Sequence, residues 1–329
     1  MNILITGGTG FIGSRLALFC RQQGDSVHVL GQANTPSEED NIEALRAAGV
    51  VVDLVAVDQM GQYSHWFDGV ELVVHLAAAQ HEANVADAHF RNVNIEGTRS
   101  VLDAAVQARV KQFVHGSSIG VYGILDGVID EQSALNPDNI YGVTKRDGEQ
   151  LALSYADRLP LVVVRISETY GPGDRRLLKL FKAINKGMFF VIGNGENLHH
   201  LIYVEDLIRG ILKAADTPAA CGEVFVMPGP DPVSTRQMAD AIATTLGKTV
   251  PHLHAPLWPF LLAATVLEKT LRPLGIQPPL HRRRMDFFRK SFTFSPTKTQ
   301  ELLSFTPQVG FSEGARLTAR WYQEQGLLD

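Results

Sequence analysis

The chain has 329 residues, 45% hydrophobic and 20% charged, a composition that allows a large packed core and excludes disorder, collagen-like repeats and coiled coils. Thirty basic and 35 acidic residues give a formal charge of -5, so no global field draws the chain to nucleic acid or to an anionic membrane, and a small-molecule substrate is the expected partner. The two cysteines, Cys20 and Cys221, lie in apolar runs without ligand-like spacing and read as buried free thiols of a reducing, cytoplasmic compartment.

The first ten residues already read as a strand and a glycine turn, so the expectation is a chain without a secretion signal. Short β-branched runs at 3–6, 27–30, 50–52 and 72–75 alternate with amphipathic helical stretches, and runs at 113–115 and 161–165 continue the alternation. That pattern predicts an α/β fold, a Rossmann-type doubly wound parallel sheet. After Tyr170-Gly171-Pro172-Gly173 the texture changes to helices punctuated by Gly and Pro. Residues 1–172, with interleaved segments near 201–228, are expected to form the dinucleotide-binding domain, and 173–200 with 229–329 a smaller C-terminal α/β substrate-binding lobe. Helices are expected at 94–108 and 141–155. The apolar run 257–267 is broken by Pro259 and falls short of the roughly 20 residues that span a bilayer. His281-Arg282-Arg283-Arg284 reads as a solvated turn or helix face, with an anion contact as the alternative.

Ile3-Leu4-Ile5-Thr6-Gly7-Gly8-Thr9-Gly10-Phe11-Ile12-Gly13 sets a buried strand, a glycine turn and a helix start in succession. Gly7 permits the tight turn, Gly10 lets backbone approach a pyrophosphate, and Gly13 lets the helix pack on the strand, with the helix N-terminus facing the phosphates. At the end of the second strand, where a ribose-reading acid is usual, the chain has Gly31 and Gln32. That leaves the choice between NAD and NADP open, with Arg15 as a candidate for a 2′-phosphate. Tyr141 and Lys145 are one helical turn apart, so they share a face behind the helix start Pro137-Asp138-Asn139. A phenol needs nearby cations to act as a base at neutral pH, and Lys145 provides one.

With Ser117-Ser118-Ile119-Gly120-Val121-Tyr122-Gly123 upstream and Tyr170-Gly171-Pro172-Gly173-Asp174 downstream, the chain resembles the extended short-chain dehydrogenase/reductase superfamily, its NAD(P)-dependent epimerase/dehydratase family. The likeness extends to Trp321. It implies Tyr141 as general base or acid, Ser118 as hydrogen-bond donor to the reacting oxygen, and Lys145 as holder of the nicotinamide ribose. It further implies a cofactor site of Gly7, Thr9, Gly10, Phe11, Ile12, Gly31, Gln32, Asp53, Leu54, Leu76, Ala77, Ala78, Asn94 and Ser117 with Tyr141 and Lys145. Asp53 and Leu54 are the implied adenine contacts. A homodimer through helices 94–108 and 141–155 is also implied.

The departures are Ile166, where the family places a proline, and His199-His200, where an arginine is common. The two histidines lack further ligands, and no metal is expected. For substrate, the resemblance implies contacts from Ser118, Tyr141, His200 and Arg283. The glycine-rich segment 193–206 points to hydride transfer at a secondary alcohol of a nucleotide-linked sugar. The C-terminal apolar stretch points instead to a hydrophobic hydroxy compound, as in hydroxysteroid dehydrogenases. A third reading is a dinucleotide-binding regulator without chemistry, disfavoured because serine, tyrosine and lysine all remain.

Overall fold

Strands β1 (Asn2–Thr6), β2 (Ser26–Gly31), β3 (Val51–Leu54), β4 (Leu72–His75), β5 (Gln112–Ser118) and β6 (Leu161–Ile166) alternate with helices along the computed structural model, which describes residues 1–58, 64–80, 85–251, 254–271 and 285–328. The helices are α1 (Phe11–Gln22), α2 (Pro36–Ala47), α3 (Asp87–Arg91), α4 (Thr98–Gln107) and α5 (Ile140–Leu153). Short strands β7 (Thr169–Tyr170), β8 (Val191–Ile192), β9 (Leu198–His199) and β10 (Ile202–Tyr203) follow, with α6 (Leu178–Asn185) among them. Then come α7 (Val204–Asp216), β11 (Val224–Met227), β12 (Val233–Ser234), α8 (Thr235–Thr245), β13 (His254–Ala255), α9 (Leu257–Leu271), α10 (Thr297–Leu303) and α11 (Phe311–Glu324).

Seven strands form one parallel sheet in the order β3-β2-β1-β4-β5-β6-β11. Its central strands are apolar on both faces because helices cover both, and β4 is buried at every position. One face packs Leu16 and Ala17 of α1, Leu45 of α2 and Leu207, Ile208 and Ile211 of α7 against Ile3, Ile5 and Val29. The other packs Val101, Leu102 and Ala105 of α4 and Ala152 of α5 against Leu4, Val73 and Phe113. Each Leu, Ile, Val or Phe among these contributes roughly 1.5–3 kcal/mol of burial free energy. A third cluster joins Phe181 and Ile184 of α6, Met238, Ala239 and Ile242 of α8 and Ala315, Ala319 and Tyr322 of α11.

Sheet order reverses between β1 and β4, whose carboxyl ends therefore diverge into a crevice. Two local departures from the expected elements follow, the first of them beside that crevice. The helix expected over 94–108 is preceded by a π-helical turn at Asn92–Gly97 before α4 begins; the widened turn sits where the buried Asn94 amide is engaged with Ala79 and Thr144. Cys20 is buried as anticipated, but Cys221 is exposed, because it leaves the sheet-edge turn after Ala220 rather than continuing an apolar strand.

Candidate active site

A cleft of about 720 Å³ opens at the switch point between β1 and β4. The glycine turn forms its floor. Gly7 adopts φ +68°, and a Cβ there would stand 2.6 Å from the Ala77 nitrogen, so the turn closes against 76–79 only with glycine at this position. Gly13 is equally constrained, since its Cβ would meet the Gly7 carbonyl at 2.4 Å. With Gly10 as the residue before α1, the first turn of that helix aims its free N–H groups into the cleft.

Gly7, Thr9, Gly10, Phe11, Ile12, Gly31, Gln32, Leu76, Ala77, Ala78, Ser117, Ser118, Tyr141 and Lys145 all line this one cleft. Gly31 has a local physical reason: a Cβ would stand 2.4 Å from Thr9 Oγ1, so the threonine fills the space an acidic side chain would need. Thr9 Oγ1 also accepts the Gln32 N–H at 3.2 Å, joining the turn to the end of β2.

On the opposite wall, α5 starts where Asn139 accepts the Gly142 N–H at 2.9 Å. This cap places Tyr141 in the first turn and Lys145 one turn on. Ser118 Oγ and Tyr141 Cε1 each lie 3.4 Å from the point where a Cβ on Gly120 would stand, so hydroxyl and ring flank the same small residue. Ser118 Oγ accepts the Gly120 N–H at 3.1 Å, which fixes the hydroxyl at the strand end. Lys145 is buried and its Nζ donates to the Gly116 carbonyl at 2.6 Å. Burial brings its pKa down to about 8, against the opposing pull of Glu149. Ser117 turns its side chain the other way, as strand alternation requires, and donates to Glu149 Oε2 at 2.6 Å. Glu149 in turn receives Arg165 Nη2 at 2.6 Å, and Arg165 Nη1 donates to Tyr122 Oη at 2.6 Å. This buried chain anchors α5 to β5 and β6 behind the reactive face.

Several residues expected at the site lie elsewhere. Asp53 and Leu54 do not line the cleft: Asp53 Oδ2 takes hydrogen bonds from His28 Nε2 at 2.8 Å and Trp66 Nε1 at 2.9 Å, and Leu54 faces solvent. Val57 and Asp58, a few residues on, occupy the wall instead. Asn94 is a positioning residue, buried away from the cleft: its Oδ1 accepts the Ala79 N–H at 2.8 Å, and its Nδ2 donates to the Ala79 carbonyl and to Thr144 Oγ1. It thereby clamps the strand end that lines the cofactor cleft to α5. His200 is also internal, with Nδ1 accepting the Phe294 N–H at 3.0 Å and Nε2 facing the Gly229 carbonyl at 3.0 Å. Burial lowers its pKa against the pull of that carbonyl, so the ring is neutral and turned from the cleft. His199 is likewise buried, between Glu168 and Thr235. Arg15, a candidate for a 2′-phosphate, is paired with Glu205. Arg283, with His281, Arg282 and Arg284, lies outside the described residues.

The cleft is also lined by residues that no functional motif marked: Thr35, Glu38 and Asn41 of the β2–α2 segment, and Ser167, Thr169, Arg175 and Arg176 of the wall beyond β6. Thr35 and Glu38 carried a signal, a threonine cap followed three residues later by glutamate, and Thr35 Oγ1 does accept the Glu38 N–H at 3.2 Å.

A glycine turn at the switch point facing a serine, tyrosine and lysine across one cleft defines a dinucleotide-dependent oxidoreductase of the extended short-chain dehydrogenase/reductase class. Residues 3–227 match the NAD dependent epimerase/dehydratase family, and the chain belongs to that family. Its cofactor is NAD or NADP. Over 345 residues it is 29% identical to the 3beta-hydroxysteroid-dehydrogenase/decarboxylase isoform 2 of Arabidopsis thaliana; the match takes in 96% of this chain but only 61% of that protein's length. It is 28% identical to the N-acetyl-alpha-D-glucosaminyl-diphospho-ditrans,octacis-undecaprenol 4-epimerase of Escherichia coli O157:H7, covering 97% of this chain and 95% of the relative. Among solved structures, the UDP-glucuronic acid 4-epimerase of Bacillus cereus in complex with NAD superposes with a TM-score of 0.78 at 23% identity, over 99% of each chain.

The cleft fits the dinucleotide on its own geometry: the turn leaves no Cβ between backbone and a pyrophosphate, and a buried ammonium stands at the far end. Gly10, Phe11 and Ile12 would hold the phosphates, and Lys145 the nicotinamide ribose. When bound, the nicotinamide supplies the hydride acceptor or donor.

Proposed function

We propose that the chain catalyses reversible oxidation of a secondary alcohol on a sugar carried by a diphosphate group, in the manner of an epimerase or dehydratase. The observation that carries this reading is the convergence of Ser118, Tyr141 and Lys145 on the cleft that the glycine turn floors. Tyr141 takes the hydroxyl proton as the alcohol carbon is oxidised and returns it on reduction, while Ser118 donates a hydrogen bond to the same oxygen. Lys145 supplies the positive charge that favours the phenolate, and its tie to the Gly116 carbonyl holds that charge at the end of β5. The polar wall of Ser167, Thr169, Asp174 and Arg176 suits a hydroxyl-rich substrate.

A second reading, a hydrophobic hydroxy compound, draws on His199 and His200. Both rings are committed to the interior, so this segment presents no cation to a diphosphate. A panel of nucleotide sugars and hydroxysteroids, followed by nicotinamide absorbance and product analysis, separates the two. Turnover confined to hydroxysteroids overturns the first reading. Acid release of a nicotinamide dinucleotide from the purified protein supports an epimerase or dehydratase, which keeps its cofactor between turnovers.

A further inference from the structure

Helix α9 is apolar almost throughout, yet Ala264 is its only fully buried residue. Trp258, Leu262 and Val266 recur every four residues and so form one ridge, about 12 Å long at the helical rise. They are 68%, 59% and 50% exposed. A scattered exposed leucine needs no explanation, but a tryptophan-led ridge of large side chains does.

A neighbouring segment, packed on the opposite side of α9, adds two further exposed apolar residues. The Met188 N–H closes the end of α6 on the Ala183 carbonyl at 2.9 Å, and Met188 is 65% exposed. Phe190, also exposed, sets its ring 6.2 Å from Phe260 on the inner side of α9. Lys179, Lys182 and Lys186 lead into this tip at helical spacing, all exposed and without an ion pair among the described residues. Lys269 is exposed at the other end of the ridge, while the one acid of α9, Glu268, is only partly exposed. A chain of net charge -5 thus carries three lysines on the helix that leads into the segment packed on α9.

We propose that the α9 ridge and the α6 lysines form a docking surface for an anionic lipid bilayer, seating the protein on the membrane without spanning it. This goes beyond the reaction assigned above and stands whichever substrate is right. Apolar side chains led by tryptophan enter the interfacial region, and lysines beside them meet acidic headgroups. No described helix is long and apolar enough to cross a membrane, and the attachment proposed is a peripheral one. A two-fold contact with a second copy accounts for the ridge less well. It brings the same lysine face to both sides, with no exposed acid on α9 to answer it.

The test is co-sedimentation of the full chain with vesicles of phosphatidylcholine alone and of phosphatidylcholine with phosphatidylglycerol. Binding is expected on the anionic vesicles and should weaken with added salt. The combined variant Lys179→Glu, Lys182→Glu, Lys186→Glu should lose on the order of a hundredfold in affinity for them. Trp258→Ser with Leu262→Ser should lose at least about tenfold on any vesicle that binds the wild type. Both variants should keep wild-type cofactor binding, which reports folding and leaves the chemistry untouched. Should either fail to fold, quenching of wild-type tryptophan fluorescence by brominated phospholipid serves in its place. Wild-type protein left in the supernatant with anionic vesicles, absence of quenching, or binding indifferent to both variants overturns the proposal. So does a concentration-dependent dimer in sedimentation velocity that the ridge variant dissolves while vesicles bind nothing.

Discussion

Two adjacent central strands of the sheet each carry a buried histidine whose titration should govern how the protein tolerates acid. His75 and His115 lie side by side on β4 and β5, fully buried, with ring centroids 5.5 Å apart. His75 is satisfied: Thr98 gives its hydroxyl proton to the Asn94 carbonyl and so accepts from Nε2, while Thr6 donates to Nδ1 at 2.6 Å. Burial, reinforced by the Lys145 charge, brings the His75 pKa down to about 3. The same causes, with His75 added, hold His115 well below the ordinary value. Both rings are therefore neutral when folded and protonate near pH 6.5 when unfolded, so acid favours the unfolded chain. Stability is complete above about pH 6.5 and is lost as the pH falls below it. Integrated from about pH 8 to about pH 5, the loss is about 2 kcal/mol for each ring, or about 4 kcal/mol for the pair. Neither ring nitrogen of His115 has a hydrogen-bond partner, which makes His115→Phe a clean perturbation: it keeps an aromatic ring and discards two unpaired nitrogens. At about pH 8 the variant should gain on the order of 1 kcal/mol from their removal, and its loss on acidification should shrink by about 2 kcal/mol. Urea unfolding at the two pH values, followed by circular dichroism, measures this, with His200 contributing equally to both proteins. A variant that loses as much stability as the wild type between those values refutes the assignment of acid sensitivity to His115.

Three further perturbations address the site. Tyr141→Phe should lower hydride transfer by about 10²–10⁴, measured in single turnover, with cofactor affinity by fluorescence titration left near wild type; unchanged turnover removes Tyr141 from its role. Glu149→Gln leaves the Arg165 guanidinium, 5% exposed, without its carboxylate. It should cost about 3–5 kcal/mol in urea unfolding, and a loss under about 1 kcal/mol would show that water or Tyr122 compensates the charge. Asn94→Ala unpairs the backbone N–H and carbonyl of Ala79 and should cost about 1–3 kcal/mol. It should also raise the cofactor dissociation constant more than it lowers the rate of the bound enzyme, because Asn94 holds the cleft wall without touching reacting atoms; an equal effect on both measures would place it at the chemistry.

What was legible in the sequence is what local physics decides. The alternation of β-branched runs and helices forecast six strands of the parallel sheet, while the seventh, β11, joins beside β6 only after the intervening α6 and α7. Adjacent elements in a βαβ unit must pack on one another, so pattern alone implies the layers. The glycine turn and the pairing of Tyr141 with Lys145 were equally readable, since each depends on spacing within one element. Strand alternation, a purely local rule, sends Ser117 to Glu149 and Ser118 to the Gly120 N–H on opposite faces of β5.

The misplaced residues share one cause: motif position says where backbone runs, while long-range partners decide where a polar side chain turns. Asp53 stands at the end of β3, but His28 and Trp66 supply donors on the far side of the sheet edge and hold it there. His200 follows the segment that closes a substrate site in the family, yet Phe294 and Gly229, 94 and 29 residues away in sequence, offer a donor and an acceptor in the interior. Once both ring nitrogens are satisfied there, turning the ring into the cleft would strand two buried backbone groups, at about 1–3 kcal/mol each. The same competition explains the missing acid at Gly31: Thr9, fixed by the glycine turn, already occupies its volume. A change such as Gly31→Asp therefore tests cofactor choice only when Thr9 is reduced to a smaller residue in the same protein.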